Sequence, residues 1–277
     1  MKALIIGCGY VGSRVARLWH QQGIEVTVTT TTSSKQLRLQ AIASKVLVLT
    51  GDDLNAVQAA VANQDLILLS LGAKERSDAG YQKAYLDSAQ NIATAIKSSN
   101  SVKQLIYTSS YGILSNQSGD LVDESVLVNP DTTKGKIMHQ TEKVLLGAEN
   151  SDRSLHTCIF RLSGIYGEGR ELIRIFQKRA GTTQPGAGAD FTNWVHINDI
   201  VRAINHAQKL QLQGIFNLTS DEVLTTKEFF QRLFQTHNLE PINWDSSKPS
   251  ARPYNMKLSN QKLKNSGFEL VHPNIEF

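Results

Sequence analysis

A short apolar strand that runs through a glycine turn into a helix is the feature that most constrains this fold. Residues 2–6 are apolar enough for a buried strand, and residues 13–19 continue with helical periodicity. Between them, Gly7 permits a tight turn, Gly9 lets the backbone approach a pyrophosphate, and Gly12 lets the helix pack on the strand. Because the N–H groups and the dipole at a helix N-terminus attract phosphate, this order predicts a bound dinucleotide.

Strand-like and helix-like segments alternate over the first 163 residues, which predicts an α/β fold with a Rossmann-type, doubly wound parallel sheet. After the first strand, the predicted strands cover residues 24–30, 45–49, 65–70, 102–107 and 156–162. Helices are predicted at 37–43, 54–62, 81–98, 132–147, 171–179, 197–209, 226–237 and 257–266, with loops at 120–130, 164–169 and 180–190 and a last strand at 215–218. The pieces beyond residue 163 predict a smaller C-terminal substrate lobe. We place the nucleotide-binding domain at residues 1–163 plus the strand near 195–218, and the lobe at 164–194 and 219–277.

Composition and charge exclude several classes of protein. The 277 residues carry a formal charge of only +4, with lysines and arginines scattered along the chain, so nucleic-acid binding is not expected. No apolar segment reaches 18 residues, and no signal peptide is evident. Cys8 and Cys158 lack metal or CxxC spacing, and His139, His156 and His206 lack metal-ligand partners. We predict a cytoplasmic protein without a metal site that acts on a small molecule.

The loop after the second strand favours NADP over NAD. In an NAD-binding unit an Asp or Glu at this position takes the ribose hydroxyls, but here the strand ends in threonines and serines followed by Lys35. These hydroxyls, with Lys35 and Arg38, are suited to a 2′-phosphate. The alternative is a solvated polar loop that contacts no ligand.

Other cofactor contacts are expected where further strands end. Asp53 lies after the third strand, where it would contact the adenine, cap the next helix, or do both. Gly72 and Ala73 end the fourth strand and are small enough for a ligand to cross the sheet edge. The full set of residues predicted to bind the cofactor is Gly7, Gly9, Tyr10, Val11, Gly12, Thr30, Ser33, Ser34, Lys35, Asp53, Leu54, Gly72, Ala73 and Ser109.

Three later motifs, in this order, give the chain a resemblance to a known family. They are Ser109-Ser110, the segment GIYGEGR at 164–170, and the segment NWVHIND at 193–199. The chain resembles the extended short-chain dehydrogenase/reductases, and within them the atypical members described as NAD-dependent epimerase/dehydratase-like. The resemblance implies a Rossmann-type fold with a C-terminal substrate lobe, and bound NAD or NADP. The spacing Gly-x-Gly-x-x-Gly, in place of Gly-x-x-Gly-x-x-Gly, is typical of the atypical branch.

The residues that carry catalysis in that family are only partly present. The resemblance implies a Ser or Thr that holds the substrate oxygen and a Tyr-x-x-x-Lys pair that acts as acid and base. Ser110 matches the serine, whereas Lys134 and Met138 stand where tyrosine and lysine belong. Lys134 would be a base only if burial lowered its pKa, with Lys136 one turn away as a substitute cation. Tyr111 is a candidate for a displaced phenol.

Other residues leave alternatives open. Tyr166 is a second displaced phenol or a packed aromatic residue. Arg161, Arg170 and Arg252 are candidates for binding a substrate anion, or they form ion pairs instead. Near His196, Asn198 or Asp199 is expected to cap a helix.

Two hypotheses about function remain open. One is an NAD(P)-dependent oxidoreductase, epimerase or dehydratase acting on a small polar or nucleotide-sugar substrate. The other is an inactive NAD(P)-binding sensor or scaffold. The missing Tyr-x-x-x-Lys pair favours the second, whereas Ser110 and the substrate-lobe motifs favour the first. We expect a monomer or a homodimer.

Overall fold

The computed structural model describes residues 1–148 and 155–277. The chain divides into two compact units. The first unit consists of Met1–Ile113, Asn129–Arg161 and Val201–Ile215, and the second of Leu114–Val128, Leu162–Ile200 and Phe216–Phe277.

The strands are, in chain order, β1 (Lys2–Ile6), β2 (Glu25–Thr30), β3 (Lys45–Val48), β4 (Leu66–Leu69), β5 (Gln104–Ser110), β6 (Leu121–Val122), β7 (His156–Leu162), β8 (Gly164–Tyr166), β9 (Thr183–Pro185), β10 (Phe191–Thr192), β11 (Trp194–His196), β12 (Gly214–Leu218), β13 (Leu224–Thr225), β14 (Asn243–Asp245) and β15 (Lys257–Leu258). The α-helices are α1 (Tyr10–Gln21), α2 (Gln36–Gln40), α3 (Leu54–Val61), α4 (Asp78–Tyr81), α5 (Ser88–Ser98), α6 (Thr133–Leu146), α7 (Leu172–Phe176), α8 (Ile197–Leu210), α9 (Thr226–Thr236) and α10 (Gln261–Asn265). A π-helical segment, Gln82–Asp87, joins α4 to α5, and 3-10 turns cover Ser33–Lys35, Tyr111–Leu114 and Gln177–Arg179.

The predicted doubly wound sheet is confirmed. Among the described residues it has seven strands in the order β12-β7-β5-β4-β1-β2-β3. β1 pairs in parallel with β2 on one side and with β4 on the other, so the chain reverses its direction of winding beside β1. Ligands of open α/β sheets bind outside the carboxyl ends of the strands at such a switch point. The glycine turn follows β1, so it lies at this point.

Alternating side chains cover the two faces of the sheet in the first unit. One face carries Leu4, Ile6, Ile67, Leu69 and Leu105, which form one apolar cluster with buried residues of α3, α5 and α6. The intervening side chains of the same strands point to the opposite face, because side chains alternate along a strand. There α1 lies beside α8, and the fully buried Trp19 donates a hydrogen bond from Nε1 to Asn205 Oδ1 at 3.2 Å.

The second unit is built from short ladders and an aromatic core. β8 pairs with β11, β9 with β14, β10 with β13, and β6 with β15. Phe229 and Phe230 lie on α9 and pack edge-to-face on Phe176 with ring centroids 5.6 and 5.2 Å apart. α9 begins with a capping box. Thr225 Oγ1 accepts a hydrogen bond from the Glu228 N–H, and the Glu228 side-chain carboxylate accepts one from the Thr225 N–H.

Several predicted elements differ from the structure. The helix expected at 257–266 is wrong at its start, because Lys257–Leu258 pairs with β6 and only Gln261–Asn265 is helical. The helix expected at 81–98 starts earlier, at Asp78, where Ser77 Oγ accepts from the Gly80 N–H at 3.0 Å. The loops expected at 120–130, 164–169 and 180–190 contain the short strands β6, β8 and β9. Strands of two or three residues are too short to show an alternating hydrophobic pattern, so the sequence does not reveal them.

None of the helices in the described part of the chain is both long enough and apolar enough to cross a bilayer.

Candidate functional site

The glycine turn has the geometry that its sequence predicts. Gly7 lies at φ +94°, and a Cβ added there would lie 2.2 Å from the carbonyl oxygen of Ser70. A Cβ on Gly12 would lie 2.4 Å from the carbonyl oxygen of Gly7, so α1 can approach the turn only at a glycine. A Cβ on Gly9 would meet nothing within 4 Å. The turn is therefore closed by backbone at Gly7 and Gly12 and open at Gly9.

Two hydrogen bonds to Thr29 tie the turn to the end of β2. The Gly7 N–H donates to Thr29 Oγ1 at 3.2 Å, and the Cys8 N–H donates to the Thr29 carbonyl, also at 3.2 Å. Beyond β2, Thr30 Oγ1 accepts from the Thr32 N–H at 3.2 Å, and this contact begins the polar loop. The exposed 3-10 turn Ser33–Lys35 follows.

Cys8 is an inert residue inside the turn. Its side chain is buried, and burial raises the pKa of the thiol to about 11. The positive charges of Arg38 and Lys35 act in the opposite direction on this pKa, with a smaller effect. The thiol is protonated at neutral pH, which fits the interpretation of Cys8 as a small filling residue.

A cavity of about 410 Å³, here called the first-unit cavity, lies where β2, β3 and β4 end. Its charged lining residues include Asp52 and Lys83, which form an ion pair at 3.0 Å. Asp53 instead caps α3, because its Oδ1 accepts from the Ala56 N–H at 3.1 Å. Cap formation by Asp53 is thus confirmed, whereas its contact with adenine, like that of Leu54, stays a prediction. The lining consists of Thr31, Thr50, Gly51, Asp52, Leu71, Gly72, Lys74, Glu75, Ala79, Gly80, Lys83, Ala84 and Ser88.

A buried ion pair lies beneath the end of β5. Arg161 Nη2 contacts Glu142 Oε2 at 2.9 Å, and the side chains are only 2% and 1% exposed. Ser109 Oγ donates to Glu142 Oε1 at 2.6 Å, so this side chain points towards α6. The ion-pair alternative therefore holds for Arg161, and the expectation that it binds a substrate anion is corrected. Burial and the charge of Glu142 raise the pKa of Tyr107 well above its usual range.

The three predicted catalytic residues, Ser110, Tyr111 and Lys134, lie in the first unit. Ser110 Oγ accepts from the Gly112 N–H at 3.2 Å, and Tyr111 is buried in the 3-10 turn that follows. Lys134 is half-buried on α6, with Nζ 5.2 Å from the ring centroid of Tyr81 on α4. Sequence reasoning missed Tyr81, because more than fifty residues separate it from Lys134 and no motif links them.

A second cavity, of about 270 Å³, lies wholly within the second unit and is here called the second-unit cavity. Thr192 Oγ1, Trp194 Nε1 and Arg252 Nε are buried and have no hydrogen-bond partner among the described residues. Indole and guanidinium nitrogens only donate hydrogen bonds. Arg179 places its guanidinium carbon 5.6 Å from the ring centroids of Phe176 and Phe230. The full lining is Phe176, Arg179, Gln184, Pro185, Thr192, Trp194, Thr226, Phe229, Phe230, Ser250, Ala251, Arg252, Pro253 and Tyr254.

The chemistry of the second-unit cavity favours an anionic ligand with an apolar or planar part. Neither Arg179 nor Arg252 has a carboxylate within ion-pair distance in residues 1–148 and 155–277. Buried donors without partners are costly, and an anion would satisfy them. Of these residues, the sequence pointed only to Arg252. Thr192, Trp194 and Arg179 gave no signal, because donors are recognised as orphaned only once their neighbours are known. Arg170, by contrast, lies on an exposed turn closed by the Gly167–Arg170 bridge.

Two histidines and a glutamate meet near the start of α8 in the second unit, as possible metal ligands. Their contacts indicate a structural role. His196 Nδ1 accepts from the Asn198 N–H at 3.3 Å, and His272 Nδ1 lies 2.6 Å from Glu276 Oε1. Asp199 accepts from the Val271 and His272 N–H groups at 2.8 and 2.9 Å. Asp199 therefore anchors the C-terminal segment, and the expectation that it caps α8 is wrong.

Tyr166 is a packed residue. Its hydroxyl accepts from the Glu276 N–H at 3.1 Å and donates to the Asn274 carbonyl at 3.4 Å. Burial raises the pKa of this phenol to about 12. Because the hydroxyl already forms hydrogen bonds with the backbone of the C-terminal segment, the structure favours a packed aromatic residue over a displaced catalytic acid.

Comparisons with known proteins agree with the fold. The sequence profile of the 3-beta hydroxysteroid dehydrogenase/isomerase family matches residues 3–246. A search of curated protein sequences found no significant match.

Solved structures with the same fold share little sequence with the chain. MoeE5 in complex with UDP-glucose and NAD superposes with a TM-score of 0.80 at 16% identity, covering 97% of this chain and 93% of that one. A short-chain dehydrogenase/reductase superfamily protein from Agrobacterium tumefaciens with bound NAD gives 0.77 at 18% identity, covering 97% and 92%. TunA, an NAD-dependent NDP-hexosamine 5,6-dehydratase involved in tunicamycin biosynthesis, gives 0.79 at 17% identity, covering 98% and 92%.

These structures show that the fold is that of NAD-binding short-chain dehydrogenase/reductases. The profile covers most of the chain, from β1 to beyond β14. The chain therefore belongs to the 3-beta hydroxysteroid dehydrogenase/isomerase family, within the extended short-chain dehydrogenase/reductases.

Proposed function

We propose that the chain binds a nicotinamide dinucleotide, with the pyrophosphate at the glycine turn and the N-terminus of α1. The observation that carries the proposal is the geometry of the turn, which is closed at Gly7 and Gly12 and open at Gly9 beside the switch point of the sheet. Several structural relatives hold NAD. When bound, the dinucleotide supplies the hydride acceptor or donor, and the residues of this chain bind and orient it.

NADP is the cofactor that we propose over NAD. The loop after β2 has hydroxyl groups and no acid, and it carries Lys35, with Arg38 three residues further on. A 2′-phosphate adds two negative charges that such cations stabilise, whereas an acid at the same place would repel it.

Lys35→Glu is expected to weaken NADPH binding about tenfold and NADH binding much less, because it exchanges a phosphate-binding cation for a repelling acid. Fluorescence titration of the purified protein with each reduced dinucleotide measures both constants. Lys45→Glu, an exposed lysine at the start of β3, is the matched control for the change in charge. Equal losses for NADPH and NADH in Lys35→Glu would contradict the NADP preference.

The second-unit cavity is the proposed binding site for the anionic part of a small polar substrate, and we infer a nucleotide-sugar class. The unpartnered donors of Thr192, Trp194 and Arg252 suit a phosphate, and the aromatic walls suit a base or sugar ring. MoeE5 and TunA, with this fold, bind or act on such molecules. We propose an oxidoreductase, epimerase or dehydratase that works in the cytoplasm as a monomer or homodimer.

Arg252→Ala is expected to weaken binding of UDP-glucose at least about tenfold, since it removes a charged donor from a partly dry site. Isothermal titration with UDP-glucose, UDP and glucose 1-phosphate measures the effect and shows which part of the ligand is recognised. Arg174→Ala removes an exposed arginine paired with Glu171 on the same unit and serves as the control. Unchanged affinity in Arg252→Ala would place the ligand's anionic part away from Arg252, and no binding of any of these anions by the native protein would contradict the nucleotide-sugar class.

The residues proposed for catalysis are Ser110, to hold a substrate oxygen, with Lys134 and Tyr111 as candidates for proton transfer. Lys134 lies against the ring of Tyr81, and Tyr111 is buried, so neither reproduces the missing Tyr-x-x-x-Lys pair. This observation favours a second candidate function, an inactive dinucleotide-binding sensor or scaffold. Turnover of bound NADPH or NADP with a panel of carbonyl and nucleotide-sugar substrates separates the two, since a sensor binds the cofactor without changing its absorbance at the nicotinamide.

A further inference from the structure

The charged residues of the first-unit cavity are not equivalent. Asp52 and Lys83 neutralise each other at 3.0 Å, so neither charge is free for a ligand. Lys74 and Glu75 follow Gly72 and Ala73 on the loop after β4, and both line the same cavity. The backbone carbonyl and Cβ of Glu75 lie against Gly80 at the start of α4. Of the two lysines among the described residues that line this cavity, Lys83 is paired with Asp52 and Lys74 forms no ion pair with a described residue.

Lys74 reaches from the β4 loop to the β2 loop. Its ammonium nitrogen donates to Thr32 Oγ1 at 3.5 Å, a long hydrogen bond to an uncharged acceptor. In the part of the chain that the structure describes, no carboxylate lies within ion-pair distance of Lys74. A lysine in this position gains more from an anion than from a hydroxyl group, because an anionic acceptor adds the attraction between opposite charges to the hydrogen bond.

The position of Lys74 matches one group of the proposed cofactor. Thr32 directly precedes the turn Ser33–Lys35, where the absence of an acid favours a 2′-phosphate. Thr31, which precedes Thr32, lines the cavity together with Lys74. Lys35 follows Thr32 by three residues in the sequence. A phosphate at Thr32 would therefore be within reach of Lys74 from the β4 loop, with Lys35 three residues further along the chain.

We propose that Lys74 selects the cofactor, by binding the 2′-phosphate of NADP together with the loop Thr32–Lys35. The proposal rests on the dinucleotide binding proposed above and adds a residue that the sequence did not suggest. It predicts that the preference for NADPH over NADH depends on Lys74 and that salt reduces this preference, because the ammonium group is exposed.

The test compares Lys74→Met and Lys74→Arg with the native protein, using NADPH, NADH and adenosine 2′,5′-bisphosphate as probes. Lys74→Met should weaken NADPH and the bisphosphate about tenfold and NADH less than about twofold, and Lys74→Arg should restore most of the loss. Lys97→Met, an exposed lysine in the last turn of α5, is the control for net charge. Thermal unfolding of each variant confirms that the fold is retained.

Each other outcome has a definite meaning. Equal weakening of NADPH and NADH in Lys74→Met would show that Lys74 acts on the adenine or ribose, and would overturn the proposal. An unchanged NADPH:NADH ratio with tight binding of both would overturn it too, while dinucleotide binding itself would stand. Absence of binding by either dinucleotide to the native protein would instead remove the proposed function on which it rests.

Discussion

Gly7→Ala is expected to lower the free energy of unfolding of the first unit by about 2–5 kcal/mol, because two costs add. Gly7 lies at φ +94°, where a side chain strains the backbone, and its Cβ would lie 2.2 Å from the Ser70 carbonyl oxygen. That oxygen belongs to the backbone after β4 and cannot rotate away. Urea unfolding followed by circular dichroism, together with amide exchange of β1, measures the loss.

Gly9→Ala is the matched variant that separates folding from binding. A Cβ on Gly9 meets nothing within 4 Å, so the unfolding midpoint should stay close to that of the native protein. The same Cβ would occupy the space proposed for the pyrophosphate, and dinucleotide affinity should fall at least about tenfold. Native affinity in Gly9→Ala would place the pyrophosphate elsewhere.

Native stability in Gly7→Ala would mean that β1 and β4 separate more easily than the close approach of Gly7 to Ser70 indicates.

Glu142→Leu is expected to destabilise the first unit by about 3–5 kcal/mol, because it leaves the Arg161 guanidinium buried without its partner. Both side chains are at most 2% exposed, and Glu142 also accepts from Ser109 Oγ at 2.6 Å. Loss of this contact also frees the end of β5, next to Ser110. Chemical unfolding gives the stability change, and amide exchange at Ser109 and Ser110 reports the local effect.

The double variant Glu142→Leu/Arg161→Met identifies the cause of that loss. If the cost comes from the unpaired charge, removing both partners should recover most of the stability, since a well-packed apolar pair often replaces a buried ion pair without loss. Arg161→Met alone should be nearly as harmful as Glu142→Leu, because it strands the carboxylate. A double variant as unstable as the sum of the single variants would instead show no coupling between the two side chains, so that each stabilises the unit through its other contacts.

The strong sequence signals were those with a local physical cause. The glycine turn was predictable because Gly7 is required by the positive φ of its own backbone, and Gly12 by the close approach of the Gly7 carbonyl five residues away. Strands β1, β2, β4 and β7 were found because buried parallel strands are short apolar runs. The strands β6, β9 and β15 were missed, because each is only two or three residues long and exists through its partner.

The candidate site likewise has some features that the sequence shows and others that only the structure shows. The loop after β2 showed by its composition that no acid is present, and this needs no structure. The sequence alone pointed to Arg161 and Arg252 equally, yet the first is buried against Glu142 and the second lines a cavity with an unsatisfied Nε. Whether an arginine has a carboxylate beside it depends on residues far along the chain, which periodicity and spacing do not report.

By itself, then, the sequence determined the glycine turn, the alternation that winds the sheet and the absence of the Tyr-x-x-x-Lys pair, because each is a property of contiguous residues. Only the tertiary structure decided which charged and polar groups remain without partners. It brings Lys74 to Thr32 across 42 positions and leaves Thr192, Trp194 and Arg252 with unsatisfied donors around one cavity. The physical reason is that ligand binding depends on polar groups left unpaired after folding, and pairing is settled by contacts between distant segments.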